Sequence, residues 1–495
     1  MTKNRKASVR IRMYRQGLGD CFLLTFTEDG KPEFNMMIDC GVLQKTKNDK
    51  AIMTKVVEHI EAALPEKTVN KEKKRWLDVV VLTHEHADHI SGFTKAKEVF
   101  ERIHFGEVWA AWLDDETHPK YKLVRDRFHK QLKGLKSAVA KMDSNKSDGV
   151  KTAVELVLHD FFEDALLGTT STTAGRSPSW DFAIGKSVGD PKFFTPGKMF
   201  PLPGFDDIRI YILGPSEDYE TFTQVNPPQD DTYRTKGSGF ALTDSFFAAV
   251  SDDDSLTSEA FQPFEKRLRV NPATAESNGF FKTYYGFEPG AEDWRRIDDD
   301  WLSVAGSLAL KLDSYTNNTC LVFAIEFVSS QKVLLFPGDA QFSNWLSWQK
   351  LSWEVPDDNG GKQKLTTKDL LERTVLYKVG HHGSHNATLK KHGLEMMTSP
   401  ELIAIIPVSR DMARNQTSST NPHGWEMPER NLFERLLEKT RGRVLLADES
   451  QDQALKERCK DKKFLSSVKF VGSFVRDQTA SAQDEPLCLE LTIAG

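Results

Sequence analysis

The residues of this chain best suited to chemistry concentrate in one heptapeptide, Thr83-His84-Glu85-His86-Ala87-Asp88-His89. Three imidazoles and a carboxylate within six residues bring nitrogen and oxygen donors toward one point. His84 and His86 stand two apart, so an extended backbone aims both the same way. Asp88 and His89 follow a turn and address a neighbouring spot. Such donors suit zinc, manganese or iron, and the two directions imply two divalent ions rather than one. The chain has 13 histidines in 495 residues, so this density is not that of an incidental polar loop. Two further segments have the same form. The apolar run Leu334 to Phe336 ends in Pro337-Gly338-Asp339, which places a carboxylate where it can bridge two cations. The run Val375 to Val379 ends in Gly380-His381-His382-Gly383-Ser384-His385. Alone, each would read as a strand end and its turn. Beside the heptapeptide they read as ligands.

Two neighbouring cations lower the pKa of a shared water toward neutrality and clamp attacking and leaving oxygens. The expected reaction is attack of a metal-bridging hydroxide on phosphorus or a carbonyl carbon, with Asp88 or a bound water protonating the leaving group. Rival chemistries have no sequence support. There is no GxSxG elbow, no GxxxxGK[ST] loop and no GxGxxG after a strand.

The elements that must position these residues alternate between strand and helix. Val9, Ile11 and Met13 alternate with polar residues, Cys21 to Phe26 is a second strand, Glu28-Asp29-Gly30 a turn, and Phe34 to Ile38 a third strand. Residues 51–64 keep helical spacing. A basic loop follows, and then Leu77 to Leu82, a run apolar enough to be buried on both faces. Helices are expected over 123–142 and 150–167, a loop over 168–190, and a strand at Ile208 to Leu213. Residues 216–300 show little periodicity and read as an insertion. Strands are expected at Ser307 to Leu312, Thr319 to Phe327, Lys332 to Phe336, Val375 to Val379, Leu402 to Val408 and Arg443 to Leu446, with helices at 367–373 and Asn431 to Lys439. The mixture indicates a layered α/β domain.

Bulk properties narrow the function. Net charge is −6, a poor match for a protein that coats duplex DNA nonspecifically. Residues 1–75 carry sixteen Lys/Arg and ten Asp/Glu, a local excess of +6 that leaves −12 for the remainder. No run approaches 18 apolar residues, so no spanning helix and no membrane partner are expected. Met1 to Arg12 is basic without an apolar segment behind it, which argues against a secretory signal. Cys21, Cys40, Cys320, Cys459 and Cys488 are scattered and odd in number, as for buried thiols in a reducing cytoplasm.

The spacing of these motifs resembles that of the metallo-β-lactamase superfamily. His84-x-His86-x-Asp88-His89 is similar to its metal motif, Gly338-Asp339 to its bridging aspartate, and His381-His382-Gly383 to its last ligand. Met37-Ile38-Asp39-Cys40-Gly41 resembles the early strand end that supports the metal loop. The likeness is strongest to the lactamase-like domain of bacterial DNA-uptake competence proteins and its stand-alone relatives. Arg15-Gln16-Gly17-Leu18-Gly19-Asp20-Cys21 resembles that branch's Gly-Gln-Gly-Asp opening with one residue inserted. His382-Gly383-Ser384 matches its last ligand motif, and Asn421-Pro422-His423-Gly424 resembles its late Asn-x-x-Gly-His-Pro segment. The match covers roughly residues 8–110 and 200–450 and implies one domain over 1–495 with insertions at 115–200 and 216–300.

The resemblance implies an αββα sandwich with the metals at one edge. His84 and His86 would hold the first metal, Asp88, His89 and His382 the second, with Asp339 bridging and His381 and His423 donating to substrate oxygens. One departure stands out. Where the superfamily has a further histidine for the first metal, this chain has Gly214-Pro215-Ser216. The first site is then open, weaker, or completed by His118 or His159. The implied activity is that of a metal-dependent phosphodiesterase or nuclease, and the acidic balance favours a nucleotide or single-stranded nucleic acid over long duplex. Two other readings stay open: hydrolysis of a small ester, thioester, lactone or amide, and a regulatory or binding module with a degenerate site.

Overall fold

The computed structural model describes residues 7–126, 176–218, 270–285, 304–356, 361–417, 423–474 and 484–495, apart from Lys45 and Asn70, with a few single residues between these spans. The expected helices over 123–142 and 150–167 lie mostly outside them, as does most of 216–300.

The first three expected strands form as β1 (Ser8–Tyr14), β2 (Cys21–Thr27) and β3 (Phe34–Cys40), an antiparallel meander. Helix α1 (Asp49–Ala63) buries Ile52, Met53, Val56, Val57 and Ile60. The basic loop that follows is instead a hairpin, β4 (Glu66–Val69) against β5 (Glu72–Val81). Its charged residues pair across the ladder, Lys73 with Glu66 at 2.5 Å, so a strand forms there without apolar residues to announce it. The chain continues through α2 (Ala87–Ile90), β6 (Ile103–Ala111), α3 (Pro178–Gly185), β7 (Lys192–Phe194), β8 (Met199–Leu202), β9 (Phe205–Gly214) and α4 (Val304–Asn317). Then come β10 (Val322–Phe327), β11 (Lys332–Phe336), α5 (Phe342–Trp348), β12 (Ser352–Pro356), β13 (Lys362–Thr366), α6 (Thr367–Glu372) and β14 (Thr374–Lys378). The remainder holds β15 (Ile403–Ile406), α7 (Arg430–Thr440), β16 (Val444–Leu446), β17 (Val468–Val471) and β18 (Cys488–Ala494).

The protein is mixed α/β. One sheet runs β17-β18-β1-β2-β3-β5-β6-β7 with β4 beside β5; a second runs β16-β15-β14-β11-β10-β9-β8. In the first, β3, β5, β6 and β7 are parallel; in the second, β11, β14, β15 and β16 are. The two-residue period of each strand sorts its side chains between two cores. Phe22, Leu24, Ile38, Val79 and Val81 share one cluster with Ile210, Ile212, Phe323, Ile325, Leu334 and Phe336 of the second sheet. The alternate residues Leu23, Met37 and Val80 pack instead against Ile52, Val56 and Ile60 of α1. On the second sheet Tyr211, Ala324, Leu335 and Tyr377 pack with Trp345 and Trp348 of α5 and Leu432 and Leu436 of α7. Each such burial contributes about 1.5–3 kcal/mol relative to exposure.

Two further segments depart from expectation. Ser307 to Leu312 is not a strand but the centre of α4. Its alternation of apolar residues also fits a helix, in which Ala309, Leu312, Asp313 and Thr316 share the buried face. Within the loop expected at 168–190, α3 forms because Ser177 accepts a hydrogen bond from the Trp180 N–H at 3.0 Å, Pro178 opens the first turn, and Trp180 and Ala183 are buried. Residues 168–175 lie outside the described residues. Among the described residues no helix is long and apolar enough to cross a membrane. All five cysteines are buried and free.

Candidate metal centre

The expected ligands leave the C-terminal ends of three strands, β5 in one sheet and β11 and β14 in the other, and the supporting Asp39 lies at the end of β3, parallel to β5. Crevices beyond such ends are the usual place for α/β sites. At this edge the sheets are tied by the Leu321 N–H donating to the Thr83 carbonyl at 2.9 Å.

Asp88, His89, Asp339 and His382 offer ligand atoms that all lie within 4.8 Å of one another, and all four residues are buried. His89 Nε2 is 3.2 Å from Asp339 Oδ2, and His382 Nε2 is 2.9 Å from Asp88 Oδ2. His84 Nε2 and His86 Nδ1 stand 3.0 Å apart, and the His84 and His89 rings 4.2 Å between centroids. Asp88 Oδ1, His89 Nε2 and Asp339 Oδ2 have no hydrogen-bond partner among the described residues despite full burial. Buried polar atoms in native folds nearly always have one. Lone pairs left unshared on converging atoms are what a cation would satisfy, so these residues fit a divalent metal.

The outer edges of the rings are held. Asp39 accepts from Thr83 N (2.8 Å) and Thr83 Oγ1 (2.6 Å), and its Oδ2 meets His89 Nδ1 at 2.7 Å. His382 Nδ1 faces the Pro407 carbonyl at 2.8 Å, and Thr83 Oγ1 lies 3.1 Å from His84 Nδ1. This arrangement, one ring nitrogen inward and the other anchored, orients imidazoles for coordination. The backbone adds constraint. Asp39 has φ 53°, and His381 and His382 are consecutive left-handed residues at φ 46° and 53°. Each costs on the order of 1–3 kcal/mol and persists because its surroundings over-determine it. For His381 that includes its N–H donating to Asp339 Oδ1 at 3.1 Å. The loop bearing Asp88 is braced at Gly41, where a Cβ would lie 2.3 Å from the Asp88 carbonyl carbon.

Electrostatics divides the histidines. Burial, then the neighbouring His89 and His86, hold His84 well below the usual imidazole range, and burial takes His86 down to about 3. Both are neutral near pH 7 and can coordinate without shedding a proton. Burial also opposes charge on His89 and His382, but carboxylates outweigh it. Asp339, Asp20, Asp88 and Asp39 hold His89 well above its ordinary value, and the Asp88 hydrogen bond raises His382. Burial likewise opposes ionisation of Asp339 and Asp88, yet His89 with Lys378 keeps Asp339 low, and His89 with His382 keeps Asp88 low. Without metal, ring protons on His89 and His382 thus supply positive charge where cations would bind. The ionised state of Asp88 suits a ligand better than a proton donor.

Of the other expected residues, His381 is buried at the same edge. Its Nε2 is 3.9 Å from Asp339 Oδ2, neither ring nitrogen has a hydrogen-bond partner among the described residues, and burial lowers its pKa. His423 is exposed, and among the described residues no hydrogen bond or ion pair joins it to the cluster; Asn421 and Pro422 lie outside those residues. His118 is engaged elsewhere, Nε2 3.1 Å from Glu217 and its ring 4.4 Å from Trp112. His159 lies outside the described residues.

Two residues escaped the sequence reading. Lys378, the last of β14, is buried and donates to Asp20 Oδ2 (2.6 Å), Gly338 O (3.0 Å) and Asp339 Oδ1 (3.2 Å). Asp313 of α4 comes within 3.6 Å of His86 Nε2. A lysine inside an apolar strand end and an aspartate just past a segment expected to be a strand carry no local signal of such roles. No protein-family model matches this chain, and no curated protein is similar to it.

Proposed function

We propose that the chain is a metal-dependent hydrolase of the metallo-β-lactamase type, an αββα sandwich with a two-metal edge, and that it cleaves phosphodiesters. The observation that carries the proposal is the buried convergence of Asp88, His89, Asp339 and His382 beside the His84–His86 pair. His84, His86 and Asp339 would hold one ion, and Asp88, His89, His382 and Asp339 the other. Zinc or manganese bound there would act as Lewis acids toward a phosphoryl oxygen and make water available as a nucleophile near neutral pH. The chain's own contribution is orientation and charge. Asp39 and the Pro407 carbonyl fix the rings of His89 and His382. Lys378 takes Asp339 Oδ1, leaving Oδ2 to face the cluster. His381, whose burial favours the neutral ring and whose two ring nitrogens have no partner among the described residues, would donate to a non-bridging oxygen as negative charge grows on it. A phosphodiester presents more anionic oxygen to this arrangement than an acyl group does.

The test begins with elemental analysis, expected to give one to two equivalents of metal. Turnover of bis-nitrophenyl phosphate, single-stranded DNA, RNA and cyclic dinucleotides is then compared with that of nitrophenyl acetate, a thioester and a lactone under Zn²⁺ and Mn²⁺. Acyl turnover with no diesterase activity transfers the assignment to the acyl class. Absence of metal after reconstitution leaves only a binding or regulatory role.

A further inference from the structure

The first half of the centre has two histidines and no third from the strand end at Gly214-Pro215-Ser216. Its geometry is nonetheless directional. His84 Nε2 and His86 Nδ1 face each other at 3.0 Å, so a cation shared by the two rings belongs on the Nδ1 edge of His86. The other edge of that ring, Nε2, meets Asp313 Oδ1 at 3.6 Å. Asp313 is buried, and its Oδ1 has no hydrogen-bond partner among the described residues. Its Oδ2 accepts from Asn317 Nδ2 at 3.3 Å, one turn further along α4. Ala309, Leu312 and Thr316, buried on the same helical face, fix α4 against the body of the protein.

We infer that Asp313 is a positioning residue of the first metal half-site, accepting a hydrogen bond from the His86 Nε2–H and so leaving Nδ1 bare toward the cation. The inference rests on reading the cluster as a metal centre. The same centre supplies the comparison. His89 has Nδ1 on Asp39 and Nε2 facing inward, and His382 has Nδ1 on the Pro407 carbonyl and Nε2 on Asp88. Asp313 does for His86 what Asp39 does for His89, from the opposite sheet's side and on the opposite nitrogen. The 3.6 Å separation is roughly 0.5 Å beyond a hydrogen bond. Coordination at Nδ1 favours the Nε2–H tautomer and makes that N–H a stronger donor, which draws Asp313 Oδ1 in. Through Asp313 the helix that follows the insertion expected at 216–300 becomes part of the centre, in a place where the sequence offers no third imidazole.

The experiment is zinc binding by the full-length chain, measured by competition with a chromogenic chelator, together with the His86 tautomer read from long-range ¹H–¹⁵N spectra of the zinc-loaded protein. Asp313→Ala is expected to weaken one of two zinc-binding steps by about 10–100-fold and leave the other within about two-fold. The Nε2–H signature of His86 is expected in the zinc-loaded wild type; in matching spectra of the zinc-free chain it is expected to persist in the wild type and in Asp313→Asn, whose amide oxygen still accepts, and to be lost in Asp313→Ala. Asp313→Asn also supplies the folded control if the alanine variant is unstable. Unchanged zinc steps in Asp313→Ala, or His86 bound to zinc through Nε2, overturn the inference alone. A wild-type chain that takes up no metal overturns it together with the reading beneath it.

Discussion

Replacing Lys378 with methionine isolates the buried charge network beneath the centre. Methionine matches the length of the stem and removes only the ammonium, which touches Asp20 at 2.6 Å and Asp339 at 3.2 Å with side-chain exposure of 1%. The variant leaves Asp20 Oδ2 with only the more distant His89 Nδ1, at 3.8 Å, as a counter-charge, and Asp339 Oδ1 with the His381 N–H alone. Breaking a buried pair on one side costs about 3–5 kcal/mol, because the remaining charge stays desolvated. At about 2 °C per kcal/mol for a large domain, the metal-free protein should melt about 6–10 °C lower. Metal should then matter more. With one cation gone, Asp20, Asp39, Asp88 and Asp339 repel more strongly, so a bound divalent ion relieves more. The rise in Tm on adding zinc should be larger in the variant than in the wild type. Differential scanning calorimetry with chelator and with zinc measures both differences. Asp20→Asn combined with Lys378→Met should be less destabilised than the sum of the single variants. A metal-free Tm within about 2 °C of wild type, with an unchanged zinc increment, would refute the reasoning.

Three further outcomes are expected. His382→Ala should lose zinc from one site, whereas His381→Ala should keep its zinc and lose rate; the reverse pattern in elemental analysis exchanges the two roles. Gly41→Ala forces a Cβ to 2.3 Å from the Asp88 carbonyl carbon and 2.4 Å from the His89 nitrogen. It should cost about 1–3 kcal/mol or more and lower zinc affinity; undiminished affinity means the loop is not braced there. Asp114 has its pKa pushed up to about 7 by burial and then by Glu85. Its folded state therefore holds a proton that the unfolded state has released, and stability falls as pH rises from about 4 to about 7. Asp114→Asn should gain on the wild type by up to about 4 kcal/mol across that window, read as the change in urea midpoint difference between about pH 4 and about pH 8; a difference constant with pH contradicts it.

The sequence made the metal loop legible because its donors are local. His84 to His89 sit within six residues, and the strand that delivers them ends in the apolar run Val79 to Val81. Asp339 and His382 were legible by the same logic, as polar residues closing apolar runs. What escaped acts across the fold. Lys378 looks like a strand residue until β11 and β14 lie side by side and place it between Asp339 and Asp20. Asp313 was hidden because Ser307 to Leu312 alternates as a strand does, while burial of Ala309, Leu312 and Thr316 on one face makes it a helix. The β4–β5 hairpin was hidden because cross-strand ion pairs, not apolar residues, line it. The region after Leu446 gave no pattern, and there β17 and β18 complete the first sheet.

That last pairing has a consequence in time. Strand β1 lies between β2 and β18, with Val9 opposite Ile493 and Tyr14 opposite Cys488. Arg15, next in line toward the Asp20 that holds Lys378, donates to the Pro486 carbonyl and to Glu485. A ribosome adding about 5–20 residues per second needs on the order of 25–100 seconds to travel from one partner to the other. Throughout that interval β1 is a bare edge, with unpaired amides and carbonyls open to any passing strand. The alternating Arg10 and Arg12 side chains on that edge, which end paired with Glu490, give it like charge while it waits. Slowed translation or a stalled nascent chain should therefore expose this protein to aggregation through its first strand long before any ligand of its centre has been made incorrectly.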